Sequence, residues 1–313
     1  MYSNVDSIRN YRNGLQVYGQ DIVPGYGVQA WGKKAQALYV DVTNGTAGGT
    51  GKSWNSAVNT LALAYALVNS DSAPAHIYLA PGTYTGAALA IAKPFVHIIG
   101  TGYGPYGQGV TMTQPDNTAL FTLSALADGG SIQGLHVIIA NQTTVASTIA
   151  DSDACLYYTI ANNTFKCAAA DDIMTCIVTL SDYITIVNNR FINVWKPINS
   201  SGEFPYICNN YIYNVAVTTT ASPIGIEIPD GDAGEIAYNI LNINLTTNDT
   251  GIKLTGIVNV VHHNVFSAAC NTTINDVGGA GTNILYENMK SGLLPSFDWT
   301  STASFKTPRN IVP

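Results

Sequence analysis

Charge is what this 313-residue chain has least of: only 11% of its residues are Asp, Glu, Lys or Arg, against the ~25% usual for soluble domains. Thirteen basic residues stand against twenty acidic ones, a net charge of −7, and no Lys/Arg cluster is visible. Phosphate binding needs clustered cations, so nucleic acid is not an expected partner. No run of about 18 apolar residues occurs, so no membrane-spanning helix is encoded. The opening Met1-Tyr-Ser-Asn-Val-Asp6 has no apolar run of the kind a secretory leader carries. Cysteines 155, 167, 176, 208 and 270 are odd in number and lack metal-ligand spacing. They read as small buried hydrophobes with free thiols, suited to synthesis in a reducing cytoplasm. Neither a metal nor a cofactor is expected. The repeated part of the chain also lacks any long 3.6-residue apolar stripe, which argues against helical solenoids.

What the chain does have is a phrase that returns about once every 25 residues: apolar, two small or polar residues, Asn, any residue, apolar. It reads Ile160-Ala-Asn-Asn163-Thr-Phe165, Ile186-Val-Asn-Asn189-Arg-Phe191 and Ile207-Cys-Asn-Asn210-Tyr-Ile212. It continues through Asn239 and Asn264 to a degraded copy at Asn288, with steps of 26, 21, 29, 25 and 24 residues. A near-constant period in this range marks stacked units. Segments such as Tyr183-Ile-Thr-Ile-Val187 and Ile257-Val-Asn-Val-Val261 are short and β-branched, which is strand chemistry.

The fold class that follows is all-β: a parallel β-helix in which each coil pairs with its equivalent one turn above and below, about 4.8 Å away. Stacking brings equal positions into register. Asn163, Asn189, Asn210, Asn239 and Asn264 are then expected to form a ladder, tolerating positive φ at a bend while their amides bond along the column. Apolar residues on either side point into the coil, and variable step lengths bulge out as corner loops.

The segment before the repeats carries a family resemblance. Leu38-Tyr-Val-Asp-Val42 leads into a Gly-rich loop. Ser53 to Val68 places Ala57, Leu61, Ala64, Tyr65 and Val68 on one helical face, with Ser53 or Ser56 available as cap. Ile77-Tyr-Leu-Ala-Pro-Gly-Thr-Tyr84 and Val96-His-Ile-Ile-Gly100 follow, and Ser131 to Val137 looks like a further rung. This order resembles the start of pectate-lyase-like right-handed β-helix proteins, over roughly residues 38 to 290. The resemblance implies a right-handed coil with an N-terminal capping helix. It says little about activity, since that superfamily includes polysaccharide lyases, glycoside hydrolases, phage tailspikes and virion proteins without known catalysis.

Three segments are expected: an extended N-terminal arm at 1–37, the β-helix at 38–292 and a C-terminal cap at 293–313. In the arm, Tyr11, Tyr18, Tyr26 and Trp31 are the candidate assembly contacts. In the tail, Phe297 and Trp299 are candidates to cover the open end of the coil.

Sugar hydrolysis needs two carboxylates about 5–9.5 Å apart. The densest acidic cluster is Glu227, Asp230, Asp232 and Glu235, although Pro-Asp-Gly-Asp is turn chemistry first. Calcium held by this loop would use oxygen ligands, but no full motif is present. Asp151, Asp153, Asp171 and Asp172 are the other acidic candidates. In a strand, one of His262 and His263 would point inward and the other outward, with no acidic partner close in sequence. Polygalacturonase signatures (Asn-Thr-Asp, Arg-Ile-Lys) are not found. Tyr206, Tyr211 and Tyr213 are candidates to stack on sugar rings.

These features lead first to a non-catalytic structural phage virion protein, decorating a capsid or forming part of a tail or spike. It would be made in the host cytoplasm, displayed on the virion surface, and partnered by other virion proteins and by itself as a homotrimer. The alternative is a tailspike-like receptor-binding protein that binds or depolymerises host surface polysaccharide, which would make it a hydrolase or lyase.

Overall fold

Short β-branched strands wind into coils of three strands each, and the coils stack into three parallel sheets. In a computed structural model, residues 35–291 are described except for segments 70–73, 86–87, 103–108, 140–146, 152–154, 169–174, 215–222, 244–248 and 278–281, together with the backbone of short strands nearer both ends. Sheet A has eleven strands, from Gln36–Val40 to Phe305–Lys306. Sheet B runs through nine, from Gly82–Thr85 to Met289–Lys290, and sheet C through nine, from Leu89–Ile91 to Trp299–Ser301. The chain is an all-β right-handed parallel β-helix.

The register shows why the sequence repeats. Ile132, Ile160, Ile186, Ile207, Ile236, Val261 and Leu285 lie directly over one another in sheet A. All are sealed from solvent, and burial of each such side chain is worth about 1.5–3 kcal/mol. In sheet B the column runs Phe165, Phe191, Ile212, Leu241, Phe266. There the Phe165 and Phe191 rings stack at 5.2 Å.

The A–B corner divides two jobs that the sequence assigns to one asparagine. Positive φ belongs to the residue before it: Asn162, Asn188, Asn209, Tyr238, His263 and Glu287 all lie between 52° and 57°. The asparagine after it is buried and builds the ladder. Asn189, for example, donates its backbone N–H and its Nδ2 to Asn210 Oδ1 at 3.0 and 3.2 Å, and Nδ2 also reaches the Ile160 carbonyl at 2.8 Å. The pattern repeats through Asn163, Asn210, Asn239 and Asn264 and reaches Asn288. Each amide thus pairs coil to coil with no buried polar group wasted.

A second, shorter ladder occupies the C–A corner, where the sequence reading saw none. Asn259 Oδ1 accepts from Gly234 N–H, and Asn259 N–H donates to Asn283 Oδ1 at 2.8 Å. Their Nδ2 groups bond the carbonyls of Gly231 and Gly256. At this corner Ser181, Gly202, Gly231 and Gly256 pack backbone against backbone.

The capping helix is shorter than the sequence suggests. It spans Leu61–Ala66, preceded by a 3-10 turn at Trp54–Ser56. Its N-cap is Thr60, whose Oγ1 accepts from Leu63 N–H at 3.3 Å, rather than Ser53 or Ser56. Pro-free residues 57–60 stay extended because Val58 bridges to Val40 of sheet A, which delays the helix by one turn. Leu61 and Ala64 are buried in the core with Leu38 and Val40.

At the N-terminus, Ile8–Arg9, Leu15–Val17 and Gln20–Ile22 form a three-stranded antiparallel sheet. Tyr11, Tyr18, Tyr26 and Trp31 lie outside the described residues, as do Phe297 and the side chain of Trp299. Beyond residue 292, Trp299–Ser301 and Phe305–Lys306 still pair with the strands of the preceding coil. No helix among the described residues is long and apolar enough to cross a membrane.

All five cysteines are buried. Burial pushes the Cys155 and Cys270 thiols up to about 12 and raises Cys176 further. The thiolate is the nucleophile, so the native protein at pH 8 is expected to take up no iodoacetamide at these positions, and the denatured protein to take it up fully. Rapid native labelling, read by peptide mass spectrometry, would contradict this burial.

Candidate functional site

The coil brings together residues that lie a full repeat apart. On the outer face of sheet A, position by position, one column reads Thr185, Tyr206, Glu235, Val260. The next reads Val187, Cys208, Ala237, His262, Tyr286. Beside them the left-handed corner positions carry Tyr238, His263 and Glu287. Stacking therefore sets two histidines between two glutamates and frames them with tyrosines.

The four polar groups form a row. His262 Nε2 lies 3.2 Å from Glu235 Oε1, the two Nδ1 atoms of His262 and His263 lie 2.7 Å apart, and His263 Nε2 lies 2.7 Å from Glu287 Oε2. Each imidazole thus uses both ring nitrogens, one toward the other ring and one toward a carboxylate. His262 is nearly enclosed, at 9% side-chain exposure, while Glu235 and the His263–Glu287 pair stay accessible at 46%, 37% and 34%.

The tyrosines hold the row in place. His262 stacks on Tyr286 at 4.8 Å and 3°, and His263 stacks on Tyr238 at 4.9 Å. Tyr206 and Tyr238 are exposed. Hydrogen bonding with the Cys208 thiol, then its charge, pushes the Tyr206 phenol up to about 12. Burial, then the charges of Glu235 and Glu287, raises Tyr286. Both phenols therefore remain protonated donors beside the carboxylate acceptors. Such a face can hydrogen-bond several hydroxyls at once and present ring surface to a sugar.

No family model matches the sequence, and no curated protein matches it. Solved structures do match the fold. The catalytic domain of a GH87 alpha-1,3-glucanase in complex with tetrasaccharides superposes with a TM-score of 0.59 at 15% identity, over 88% of this chain and 48% of that one. The GH136 lacto-N-biosidase from Eubacterium ramulus gives 0.53 at 8% identity, over 88% and 68%. A pectate lyase gives 0.49 at 16% identity, over 89% and 80%. The likeness to the glucanase domain and the biosidase bears on the β-helix fold alone. The chain spans about half the length of the glucanase domain it matches, and identities this low speak to fold alone.

The sequence candidates scatter across the coil. Glu235 joins the row, but Glu227 lies on sheet C. There it is bound by Lys196 at 2.9 Å and Lys253 at 2.8 Å. Burial pushes its carboxyl up, but the hydrogen bonds and charges of the two lysines outweigh this and leave it below the usual range. Asp230 is exposed in a turn. Asp232 Oδ1 accepts from Ile257 N–H at 2.7 Å, so it braces the C–A corner rather than pairing with Asp230. The four acids do not converge, because Glu227 and Glu235 belong to strands of different sheets. Among the described residues, no three His, Cys, Asp or Glu side chains converge to hold a metal.

Asp151 is buried in the coil, accepting from Thr179 Oγ1, Leu180 N–H and Ser181 Oγ. Asp153, Asp171 and Asp172 lie outside the described residues. Tyr206 is on sheet A and Tyr211 and Tyr213 are on sheet B, so the three tyrosines do not make one platform. Neither histidine points inward: His262 stands in an outward column between Ala237 and Tyr286, and His263 takes the left-handed corner. Tyr238, Tyr286 and Glu287 were missed. Aligning the repeats on their asparagines would have found them, since Tyr238, His263 and Glu287 each immediately precede Asn239, Asn264 and Asn288.

Proposed function

We propose that this chain binds a polysaccharide on the outer face of sheet A, as a tailspike-like receptor-binding β-helix. The observation that carries the reading is the Glu235–His262–His263–Glu287 row framed by Tyr206, Tyr238 and Tyr286. It offers donors and acceptors side by side on an exposed, aromatic and weakly charged surface. Neutral hydroxyl-rich ligands suit such a face better than polyanions do, because two carboxylates lie in it. Structural neighbours that act on or hold oligosaccharides are consistent with the same ligand class.

The test is affinity electrophoresis of the full chain through gels containing bacterial surface polysaccharides. Tyr238→Ala is expected to weaken retardation about tenfold, in line with loss of one aromatic contact and its supporting stack. Glu235→Gln and Glu287→Gln, assayed for new reducing ends, separate binding from cleavage. Unchanged retardation of Tyr238→Ala and His263→Ala would remove this face as the binding surface.

A second reading, a structural component of a virion surface with other virion proteins or further copies as partners, is favoured by another feature. Phe95, Tyr157, Tyr183 and Phe204 are exposed at the C–A corner with Leu126, Leu156 and Leu180. Tyr157, Tyr183 and Phe204 stack on one another at 4.9 and 4.8 Å. Their faces are therefore occupied and their edges point out, which suits packing against protein better than stacking on sugar.

A further inference from the structure

The outer face of sheet B holds a cationic spot in an acidic protein. One column of this face reads His136, Thr164, Arg190, Tyr211, and the neighbouring column reads Ile138, Lys166, Ile192, Tyr213. Arg190 and Lys166 are diagonal neighbours, one coil and two residues apart. The Arg190 guanidinium lies over the Tyr211 ring at 5.7 Å, and Tyr211 and Tyr213 lie nearly parallel, with centroids 6.3 Å apart.

Neither Arg190 nor Lys166 forms an ion pair with a carboxylate among the described residues, whereas Lys196 and Lys253 are both committed to Glu227. Arg190 Nε is sealed from water and has no hydrogen-bond partner. A guanidinium held over a tyrosine ring, partly desolvated and with its fork uncompensated, is arranged for a planar or tetrahedral oxyanion. Burial, then the charge of Lys166, lowers His136 below the usual imidazole range. It is therefore neutral near pH 7 and available as a hydrogen-bonding neighbour rather than a third cation.

We propose that this face of sheet B is a second glycan site, which takes a sugar bearing an oxyanion on Arg190 and Lys166, with Tyr211 and Tyr213 alongside the ring. Two uncommitted cations are too few to track a nucleic-acid backbone, and the adjacent tyrosine pair favours a sugar over a free anion. The site is separate from the sheet A face and does not depend on it.

The test uses the full chain in affinity gels containing alginate (carboxylate), dextran sulfate (sulfate ester) or neutral dextran, with thermal unfolding of each variant as the folding control. A protein of net charge −7 has no general attraction to polyanions, so retardation by them reports a local site. Wild type is expected to be retarded by one or both acidic polymers and not by dextran. Which polymer retards it assigns the anion as carboxylate or sulfate. Arg190→Gln is expected to lose roughly tenfold or more of that affinity, and Arg190→Lys to keep part of it. Tyr238→Ala, at the sheet A face, is expected to leave it unchanged, so failure of either site is read independently. Absence of retardation in both acidic gels, or equal retardation of wild type and a natively folded Arg190→Gln, overturns the proposal.

Discussion

Asn210→Ala is expected to lower unfolding free energy by about 3–5 kcal/mol, because several buried hydrogen-bonding groups lose their partners together. Asn210 Oδ1 accepts both the backbone N–H and the Nδ2 of Asn189. Asn210 Nδ2 donates to the Ile186 carbonyl and to Asn239 Oδ1 at 2.8 and 3.0 Å. Removing one amide orphans donors in the coil before and acceptors on both sides, in a column that is about 1% exposed or less. Water cannot enter without disturbing the stack. Chemical denaturation of Asn210→Ala checks this. A loss below about 1 kcal/mol would mean that the ladder is not a continuous coil-to-coil element.

A comparable loss, about 2–4 kcal/mol or failure to fold, is expected for Gly256→Ala, for a steric reason rather than a polar one. A Cβ at 256 would collide with the backbone carbonyl of Gly231 one coil away, and Gly231 is in turn packed against the Gly202 carbonyl at the same corner. Backbone cannot rotate aside as a side chain can, so the coils must separate and the Asn259 and Asn283 bonds to these same glycine carbonyls lengthen. Gly48→Ala is the matched control, since nothing lies within 4 Å of a Cβ there. Thermal unfolding of the pair measures the difference. A native midpoint for Gly256→Ala would show that the corner can open by about an ångström at little cost.

These two positions also show how unevenly the sequence spoke. Asn210 is visible in any reading of the chain, because an amide ladder needs the same residue in every coil. Gly256 is less so, since its column reads Ser181, Gly202, Gly231, Gly256, each eight residues before a ladder asparagine, with glycine in only three of the four coils. The helix cap moved from Ser53 or Ser56 to Thr60 because Val58 pairs with Val40 across the chain, a tertiary contact that no local propensity encodes. Positive φ fell on Asn162, Asn188 and Asn209 rather than on their neighbours, although both members of each Asn-Asn pair look equally able to accept it.

The candidate site was half legible. Glu235 stood out as one of an acidic cluster, and His262 and His263 as a pair without a carboxylate nearby. The missing carboxylates are 27 residues before His262 and 24 after His263, which is one coil in each direction.

The order of residues alone determined that this chain stacks into parallel coils, since an asparagine and its apolar flanks recurring once per turn have no other way to bury themselves in register. Which polar side chains meet on the outside was decided only by the tertiary structure. Aligning the asparagines lines up the candidates for each outward column, but which of them bond, His262 to Glu235 and His263 to Glu287, follows from side-chain geometry across coils.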